Sequence, residues 1–469
     1  MENLKGKKVI LVGLGRLGGG IAAAEYFASH SAQLTVTDAL SAEELKSSIQ
    51  KLKKYKTIRY KLGAQCEGDF KGQDVAIFNP AISIHSPLVQ YAKKHCKEVH
   101  NDLSYFLSEM DSRLCRNDRW KGYIGITGTR GKTTTATWIG HFLKPVVIGG
   151  NMPQNGLFKI LRGLTSLTRL NLVKRPIVLE LSSFQLEFMR HDLPAPHIAV
   201  ITNLHQDHLN RHGTLKKYRD TKALLFKYQQ KSDFLILNAD NPHTKEFLKP
   251  KPQASVYHVS MKKVGYGMYR KGKNIVFAKN RKEEIVGKIP AGYSAHMQYN
   301  LLTALLVAHL YGAEWNALLR KIPTLPQVPF RQELVYKKRG LEMYNDSAST
   351  SPEGVMAAID RFKGHKTAFI FGGTDKLLDF KPLAKAIKKY VPLKNAYFLE
   401  GSGTFKLLKE LKYKKIQVYD TLDEILKETA SNKKKFNKIV FTPGAASFEK
   451  FRNEFDRGKQ FNRLVRKYF

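Results

Sequence analysis

The sequence predicts three α/β domains in series. Short apolar runs that end in Gly, Asp or Pro and lead into helical stretches carry that prediction, because they read as parallel strands with crossover helices. The rhythm restarts twice, after a polar linker and after a Pro-rich segment. Each of the first two regions also opens on a glycine-rich turn, and the two turns differ in design. At 469 residues the chain is too long for one ordinary core.

The first region, residues 1–118, contains "KKVILVGLG", "QLTVTDA", "DVAIFNPAIS" and "KEVHNDLSYFL". Its glycine turn, Gly13-Leu14-Gly15-Arg16-Leu17-Gly18, follows a strand, and Asp38 ends the next one. This is the dinucleotide fingerprint, so the region is expected to be Rossmann-like. Alone, the turn signals a pyrophosphate or nucleotide and does not choose NAD over a UDP-linked ligand. A tight turn packing helix on strand is the plainer alternative. The polar "SEMDSRLCRNDRWKG" reads as a linker.

The second region, 119–325, opens on "GITGTRGKTTTATW". The turn Gly128-Thr129-Arg130-Gly131-Lys132-Thr133-Thr134 lies between a strand-like run and a helix, where backbone N–H groups and the helix terminus can gather phosphate oxygens. Lys132 would reach the terminal phosphates and the Thr133 hydroxyl would ligate Mg²⁺. Ile126 stands where the strict P-loop pattern has Gly, so the turn is a variant. The strands "VVIGGN", "PIVLELSS", "HIAVITNL" and "DFLILNAD" follow, then a less regular section around "YGMYRKGKNIVFAKN" and the apolar helix "NLLTALLVAHLYG". Glu180, at a strand end near the phosphate turn, is well placed to hold magnesium.

"KIPTLPQVPF" resists both helix and strand and marks the next boundary. The third region, 326–469, repeats the rhythm in "KTAFIFGGTDK", "NAYFLEGSG", "KIQVYDT" and "KIVFTPGAAS" and is expected to be Rossmann-like. Phe448, Phe451 and Phe455 fall at helical spacing and read as the core stripe of a closing helix.

Composition narrows the function. Hydrophobic residues make up 42% and charged residues 25%, ordinary for a globular protein. No apolar run approaches the roughly 18 residues of a membrane span, and the start shows no leader pattern, so a cytoplasmic protein is expected. The three cysteines, Cys66, Cys96 and Cys115, have neither disulfide-scaffold nor zinc spacing and fit a reducing compartment. A formal net charge of +39 could signal nucleic acid, but the lysines are scattered and no basic patch is interleaved with aromatics. No nucleic-acid partner is expected. His205, Asp207, His208 and His212 lack the spacing of a zinc site, and His205 and His212 read as surface histidines.

The set Gly128 to Thr134, Gly149-Gly150-Asn151, Glu180 to Leu186, Asp207-His208 and Lys222 resembles the Mur ligases of bacterial peptidoglycan synthesis. The resemblance continues through Arg331 in "PFRQE", Asn345-Asp346-Ser347, Gly372-Gly373 to Lys376, and Ser447, and so covers essentially the whole chain. Within the family, "ELSSFQLE" is most similar to the branch that adds D-glutamate to UDP-N-acetylmuramoyl-L-alanine.

The resemblance implies that ATP phosphorylates a carboxylate, that an amine attacks the acyl phosphate, and that a tetrahedral intermediate collapses to an amide. It implies a first domain for the UDP end, a central one for ATP and a third for the amino acid. Gly128 to Thr134 would bind ATP with Asn300, Arg331 and Asp346. Lys132, Glu180, His208 and Lys222 would be catalytic. Thr133 and Glu180 would hold one Mg²⁺ and His208 a second, with Lys222 a further metal ligand as a CO₂-derived carbamate. Gly15, Arg16, Leu17, Asp38, Asn79, Asn151, Ser182, Gln185 and His208 would meet the UDP-linked substrate. Thr350, Lys376 and Ser447 would hold the glutamate. A monomer is expected.

The chain departs from the family pattern at several places. Arg130 replaces an Asn of the phosphate turn, Met297 and Ala348 stand where Asn and Lys are common, and Glu454 falls near an aromatic position. Ala39 and Leu40 follow Asp38 where polar uracil contacts are expected. Alternatives are another Mur-type or folylpolyglutamate-like ligase, or, in a different class, an NAD(P)-binding oxidoreductase. The last leaves the phosphate turn, Glu180 and Lys222 without a role. A nucleic-acid-dependent ATPase would want an Asp-Glu strand-end pair that the sequence does not offer.

Overall fold

A computed structural model describes residues 4–16, 18–114, 122–152, 155–165, 175–364, 366–413 and 416–469. Cys115 and residues 116–121 of the expected linker lie outside them, whereas its first seven residues, 108–114, are not linker but the end of the helix Asp102–Leu114. The chain divides into two compact units, one of residues 1–288 with 299–324, the other of 289–298 with 325–469. Three sheets follow one another along the chain, two in the first unit and one in the second.

The first sheet holds β1 (Lys8–Val12), β2 (Gln33–Asp38), β3 (Arg59–Leu62), β4 (Val75–Phe78) and β5 (Glu98–Asn101), all parallel, in the order β3-β2-β1-β4-β5. Four of the five residues of "KVILV" are buried, the near-continuous apolar run of a parallel strand covered on both faces. The chain leaves β1 towards β2 and returns on the other side as β4. That makes a switch point at the carboxyl end of β1, where open α/β sheets bind ligands.

The second sheet holds β6 (Tyr123–Thr127), β7 (Val147–Gly150), β8 (Ile177–Glu180), β9 (Ile198–Ile201), β10 (Phe234–Asn238), β11 (Ser255–Ser260), β12 (Gly267–Lys271), β13 (Asn274–Lys279) and β14 (Lys282–Lys288). Their order is β14-β13-β12-β11-β10-β9-β6-β8-β7. β6 lies between β9 and β8, so its carboxyl end is also a switch point. The segment expected to be less regular is in fact ordered. β12, β13 and β14 form an antiparallel meander with a register shift at Ile275/Val276. Its polar residues project from exposed edge faces and so hide the strand alternation.

One apolar cluster joins these two sheets. Tyr26 and Phe27, on the helix Gly19–Ser29, pack their rings on Phe158 of the helix Leu157–Thr165 with centroids 5.6 and 5.5 Å apart. Tyr105 stacks on Phe158 at 5.7 Å. The Arg162–Glu25 ion pair rims the cluster at 2.5 Å.

The third sheet, in the second unit, holds β15 (Glu333–Lys338), β16 (Leu341–Asn345), β17 (Thr367–Phe371), β18 (Ala396–Leu399), β19 (Val418–Tyr419) and β20 (Lys438–Phe441), in the order β15-β16-β20-β17-β18-β19. Only β15 is antiparallel, a hairpin partner of β16. The closing helix runs Glu454–Tyr468, so Phe448 and Phe451 precede it and the expected three-residue stripe does not form. Phe448 is 66% exposed, while Phe451 packs on the core. Asn453 starts the helix instead, its side chain accepting from the Phe455 and Asp456 N–H groups.

Candidate functional site

The turn after β6 is a phosphate cradle in shape. Gly128 has φ 140° and Gly131 φ 83°, conformations open to glycine. A Cβ on Gly128 would stand 2.0 Å from Thr202 Oγ1, so no side chain fits there. The segment after β9 braces the loop from outside. Thr202 Oγ1 donates to the Arg130 carbonyl at 2.6 Å, and the Asn203 side chain accepts from Arg130 N at 2.9 Å. The Thr129 N–H bonds to the Asn203 carbonyl at 3.0 Å, and His205 N donates to Thr129 Oγ1 at 3.0 Å. Arg130 pairs with Asp207 at 3.3 Å. The helix Lys132–Phe142 then starts with Lys132, Thr133 and Thr134 in a first turn without acidic residues, which favours an anion at its terminus. Lys132 Nζ folds back onto the carbonyls of Gly128 (3.1 Å) and Thr129 (3.3 Å). Asn300 lies behind the loop, where Thr135 Oγ1 donates to its Oδ1 at 3.4 Å.

Glu180 ends β8 directly opposite Ile126 of β6. Its side chain is 3% exposed, and Oε2 is buried without a hydrogen-bond partner. The Gly150-Asn151 turn packs on the backbone of Glu180: Asn151 N donates to the Glu180 carbonyl at 2.7 Å, and a Cβ on Gly150 would strike that oxygen at 2.1 Å. A buried carboxylate oxygen left bare is costly unless something cationic meets it. Together with the half-buried Thr133 hydroxyl and the nearby phosphate turn, it fits magnesium, a hard cation that takes few protein oxygens beside phosphate. Among the described residues no group of three or more His, Cys, Asp or Glu side chains gathers in an arrangement that could hold a metal ion.

Lys222 is 1% exposed on the helix Leu215–Ala223. Its Nζ donates to the Gly128 carbonyl at 3.1 Å and to Thr127 Oγ1 at 3.4 Å, and lies 4.4 Å from the Tyr218 ring centre. Burial, then the charge of Lys132, pushes its pKa well down, so the amine is held towards its neutral form. His208 adopts φ 54°, and its N–H bonds to Asp207 Oδ1 at 3.0 Å. His212, expected at the surface, is 7% exposed and bonds to Ser183 Oγ at 3.0 Å, because the short helix Leu209–His212 turns it inward under Phe184.

The first cradle sits at the switch point of the first sheet. Gly15 N donates to Asp38 Oδ2 at 2.9 Å, Ser48 Oγ to the Gly15 carbonyl at 2.8 Å, and Asn79 Nδ2 to the Gly13 carbonyl at 3.1 Å. Asp38 is thus tied to the turn's own N–H and to Leu40 N. Arg16 pairs with Glu44 at 2.8 Å. Leu17 lies outside the described residues. Gly20 supplies the close helix–strand approach, since a Cβ there would meet the Leu14 carbonyl at 2.3 Å.

Ser182 and Gln185 cap the short helix Ser183–Leu186 reciprocally. The Gln185 amide is held at both ends: Oε1 accepts from Ser182, and Nε2 donates to Asp102 Oδ2 at 2.8 Å. Burial raises the Asp102 carboxyl to about 6.

In the second unit, Asp346 follows β16 and is 6% exposed. Burial raises its pKa to about 7, against the pull of the Thr442 hydroxyl at 3.0 Å and of Arg331. Lys376 Nζ donates to Thr350 Oγ1 at 3.3 Å. A bridge between Thr374 and Ala446 brings the loop before Lys376 beside Ser447, whose hydroxyl is buried without a partner. Arg457 is fully buried beneath them, donating to the carbonyls of Ser347, Ala445 and Ala446 at 2.8–3.1 Å.

Residues 126–308 match the Mur ligase middle domain. The chain is 31% identical to a UDP-N-acetylmuramoylalanine–D-glutamate ligase of Roseiflexus sp. (strain RS-1) across 99% of each, and 30% identical to one of Borreliella afzelii (strain PKo), again across 99% of each. The chain belongs to the Mur ligase family.

Solved Mur ligases share its fold. MurC of Thermotoga maritima superposes with a TM-score of 0.58 at 19% identity, covering 98% of this chain and 99% of that one. MurF of Acinetobacter baumannii superposes with 0.62 at 14%, covering 98% and 93%. As a Mur ligase, the chain is an ATP-dependent, magnesium-requiring enzyme that forms an amide bond.

The structure brings Gly128 to Thr134, Asn300 and Lys222 into one cluster, and draws Asn151 onto Glu180. It gathers Gly15, Asp38 and Asn79 in a second cluster, and Thr350 with Lys376 in a third. Thr202 and Asn203, which brace the Gly128–Gly131 turn of this Mur ligase, escape sequence reasoning. Their one signal is a strand end followed by Thr-Asn, and it has meaning only once β9 is known to neighbour β6.

Proposed function

We propose that the chain adds D-glutamate to the L-alanine carboxyl of UDP-N-acetylmuramoyl-L-alanine in peptidoglycan precursor synthesis, as a cytoplasmic monomer with domains at 1–118, 119–325 and 326–469. The bare, buried Glu180 carboxylate beside the Gly128–Thr134 loop carries this reading, with the buried Lys222 next to it. The names of the full-length relatives support the substrate pair.

The alanyl carboxylate oxygen attacks the γ-phosphorus of ATP, the bond from that phosphorus to the β–γ bridging oxygen breaks, and ADP leaves. The D-glutamate amine then adds to the acyl-phosphate carbonyl. The tetrahedral intermediate loses a proton and expels phosphate, leaving the amide. Lys132 and the loop N–H groups neutralise the transferring group, which is where most of the acceleration of such a step arises. Thr133 and Glu180 would hold one magnesium ion and His208 a second, and the metal would supply charge neutralisation at the phosphates. The neutral Lys222 amine would add to CO₂ and lose a proton, giving a carbamate that turns an amine into an anionic oxygen ligand. Arg331, Asp346 and Asn300 serve ATP. Gly15, Arg16, Leu17, Asp38, Asn79, Asn151, Ser182 and His208 serve the UDP-linked substrate, with Gln185 shaping its wall. Thr350, Lys376 and the partnerless Ser447 hydroxyl serve glutamate.

Phosphate release from ATP, measured with UDP-N-acetylmuramoyl-L-alanine and a panel of amino acids, tests the assignment. Turnover confined to D-glutamate is expected. Equal turnover with every amino acid, or none with D-glutamate, overturns it.

A further inference from the structure

Arg211, three residues beyond His208, uses its guanidinium in one place. Nε donates to Glu187 Oε1 at 2.9 Å and a terminal nitrogen to Oε2 at 2.8 Å, a two-pronged pair. The terminal nitrogens also reach the carbonyls of Pro80 (3.3 Å) and Ala81 (2.5 Å). Glu187 Oε2 also accepts the Ile84 N–H at 3.1 Å, and the Phe184 ring lies 4.8 Å from the guanidinium carbon. The pair is shielded, with side chains 13% and 8% exposed.

Pro80, Ala81 and Ile84 lie on the loop that leaves β4 through Asn79. Glu187 lies on the segment that leaves β8 through Glu180, and Arg211 on the one that leaves β9 through His208. The pair therefore ties a loop of the first sheet to both segments that carry proposed phosphoryl-transfer residues. Attachment of the sheets does not need it. The aromatic cluster around Phe158 already joins them, and the end of β5 is held separately by Asn101 Nδ2 on the Gln185 carbonyl at 2.8 Å. A shielded ion pair is expensive to desolvate and a poor source of stability alone. What it adds is a fixed placement of one loop.

We propose that Arg211 is a positioning residue for the carboxyl substrate. By clamping the 80–84 loop to Glu187, it sets the span from Asn79 and the Gly13–Gly15 turn to Glu180 and His208. The proposal rests on the UDP-linked substrate proposed above.

Steady-state kinetics of Arg211→Ala, Arg211→Lys and Glu187→Gln, with the UDP-linked substrate and ATP varied separately, test it. Arg211→Ala should raise KM for UDP-N-acetylmuramoyl-L-alanine about tenfold, equivalent to about 1.4 kcal/mol, with KM for ATP within about twofold. Arg211→Lys should not restore it, because an ammonium cannot span a carboxylate and two carbonyls. Glu187→Gln, which keeps the shape, should fall between. A lysine variant equal to wild type, or both KM values rising together, would overturn the positioning role. Amide hydrogen exchange gives a readout independent of the substrate: Arg211→Ala should speed exchange across 81–84, the residues of the loop after Pro80 that carry an amide hydrogen, and leave β1 and β4 unchanged. Unchanged exchange in that loop would overturn the clamp, whereas absence of wild-type turnover would count against the substrate assignment instead.

Discussion

Lys132 and Lys222 donate to the same acceptor, the Gly128 carbonyl oxygen, each at 3.1 Å. Two amines converging on one carbonyl cannot both carry full charge cheaply, and the buried one yields: desolvation and the Lys132 charge together depress the Lys222 pKa. A neutral amine is the form that adds to CO₂, so this arrangement is the one that the carbamate proposed at Lys222 would require.

Lys222→Ala should therefore lose activity by about a hundredfold or more, the scale of losing one preorganised electrostatic group. Short carboxylic acids should restore part of it by replacing the carbamate oxygens. Mass spectrometry under CO₂-retaining conditions should show the adduct on the wild type. A fully active, unrescued variant would refute the role.

Glu180→Gln separates function from stability. The change keeps the shape and removes a buried charge that has no hydrogen bond at Oε2. Thermal unfolding should be unchanged or shifted upward, while kcat falls by about a hundredfold and the magnesium concentration for half-maximal activity rises. A lower Tm with an unaltered magnesium response would contradict the metal role.

Gly128→Ala should abolish measurable nucleotide binding. The new methyl would stand 2.0 Å from Thr202 Oγ1, and the backbone would be strained at φ 140°. Adding Thr202→Ala should recover only part of the affinity by calorimetric titration, since it relieves the collision and leaves the torsion.

Asp346 gives a pH signature. Its pKa rises on folding from 3.8 to about 7, so the folded protein takes up a proton that the unfolded chain releases. The stabilisation is full below about pH 4 and fades as pH climbs through 7. Denaturant titrations of wild type against Asp346→Asn should show this slope in the wild type only. Parallel slopes would show that the group ionises normally.

Most of the strands were legible because parallel strands buried on both faces leave unbroken apolar runs such as "KVILV" and "IAVI". The Gly128 and Gly13 turns were legible because positive φ and close approach demand glycine. Lys222, by contrast, looks like any helix lysine in a basic chain; its burial follows from packing against β6, which no local pattern encodes. The hairpin of β15 with β16 and the meander from β12 to β14 were blurred by lysines on exposed faces. Phe448 misled because its spacing is helical, whereas Asn453 starts the helix later. Thr202 and Asn203 stayed hidden because strand order, not chain order, makes them neighbours of the phosphate loop.

The ring cluster of Tyr26, Phe27, Tyr105 and Phe158 couples the first two sheets through shared buried surface. A fragment cut after the first region would bare three aromatic side chains to water and should precipitate rather than fold. In scanning calorimetry the region through residue 324 should melt in one step, with heat capacity and enthalpy belonging to both sheets at once.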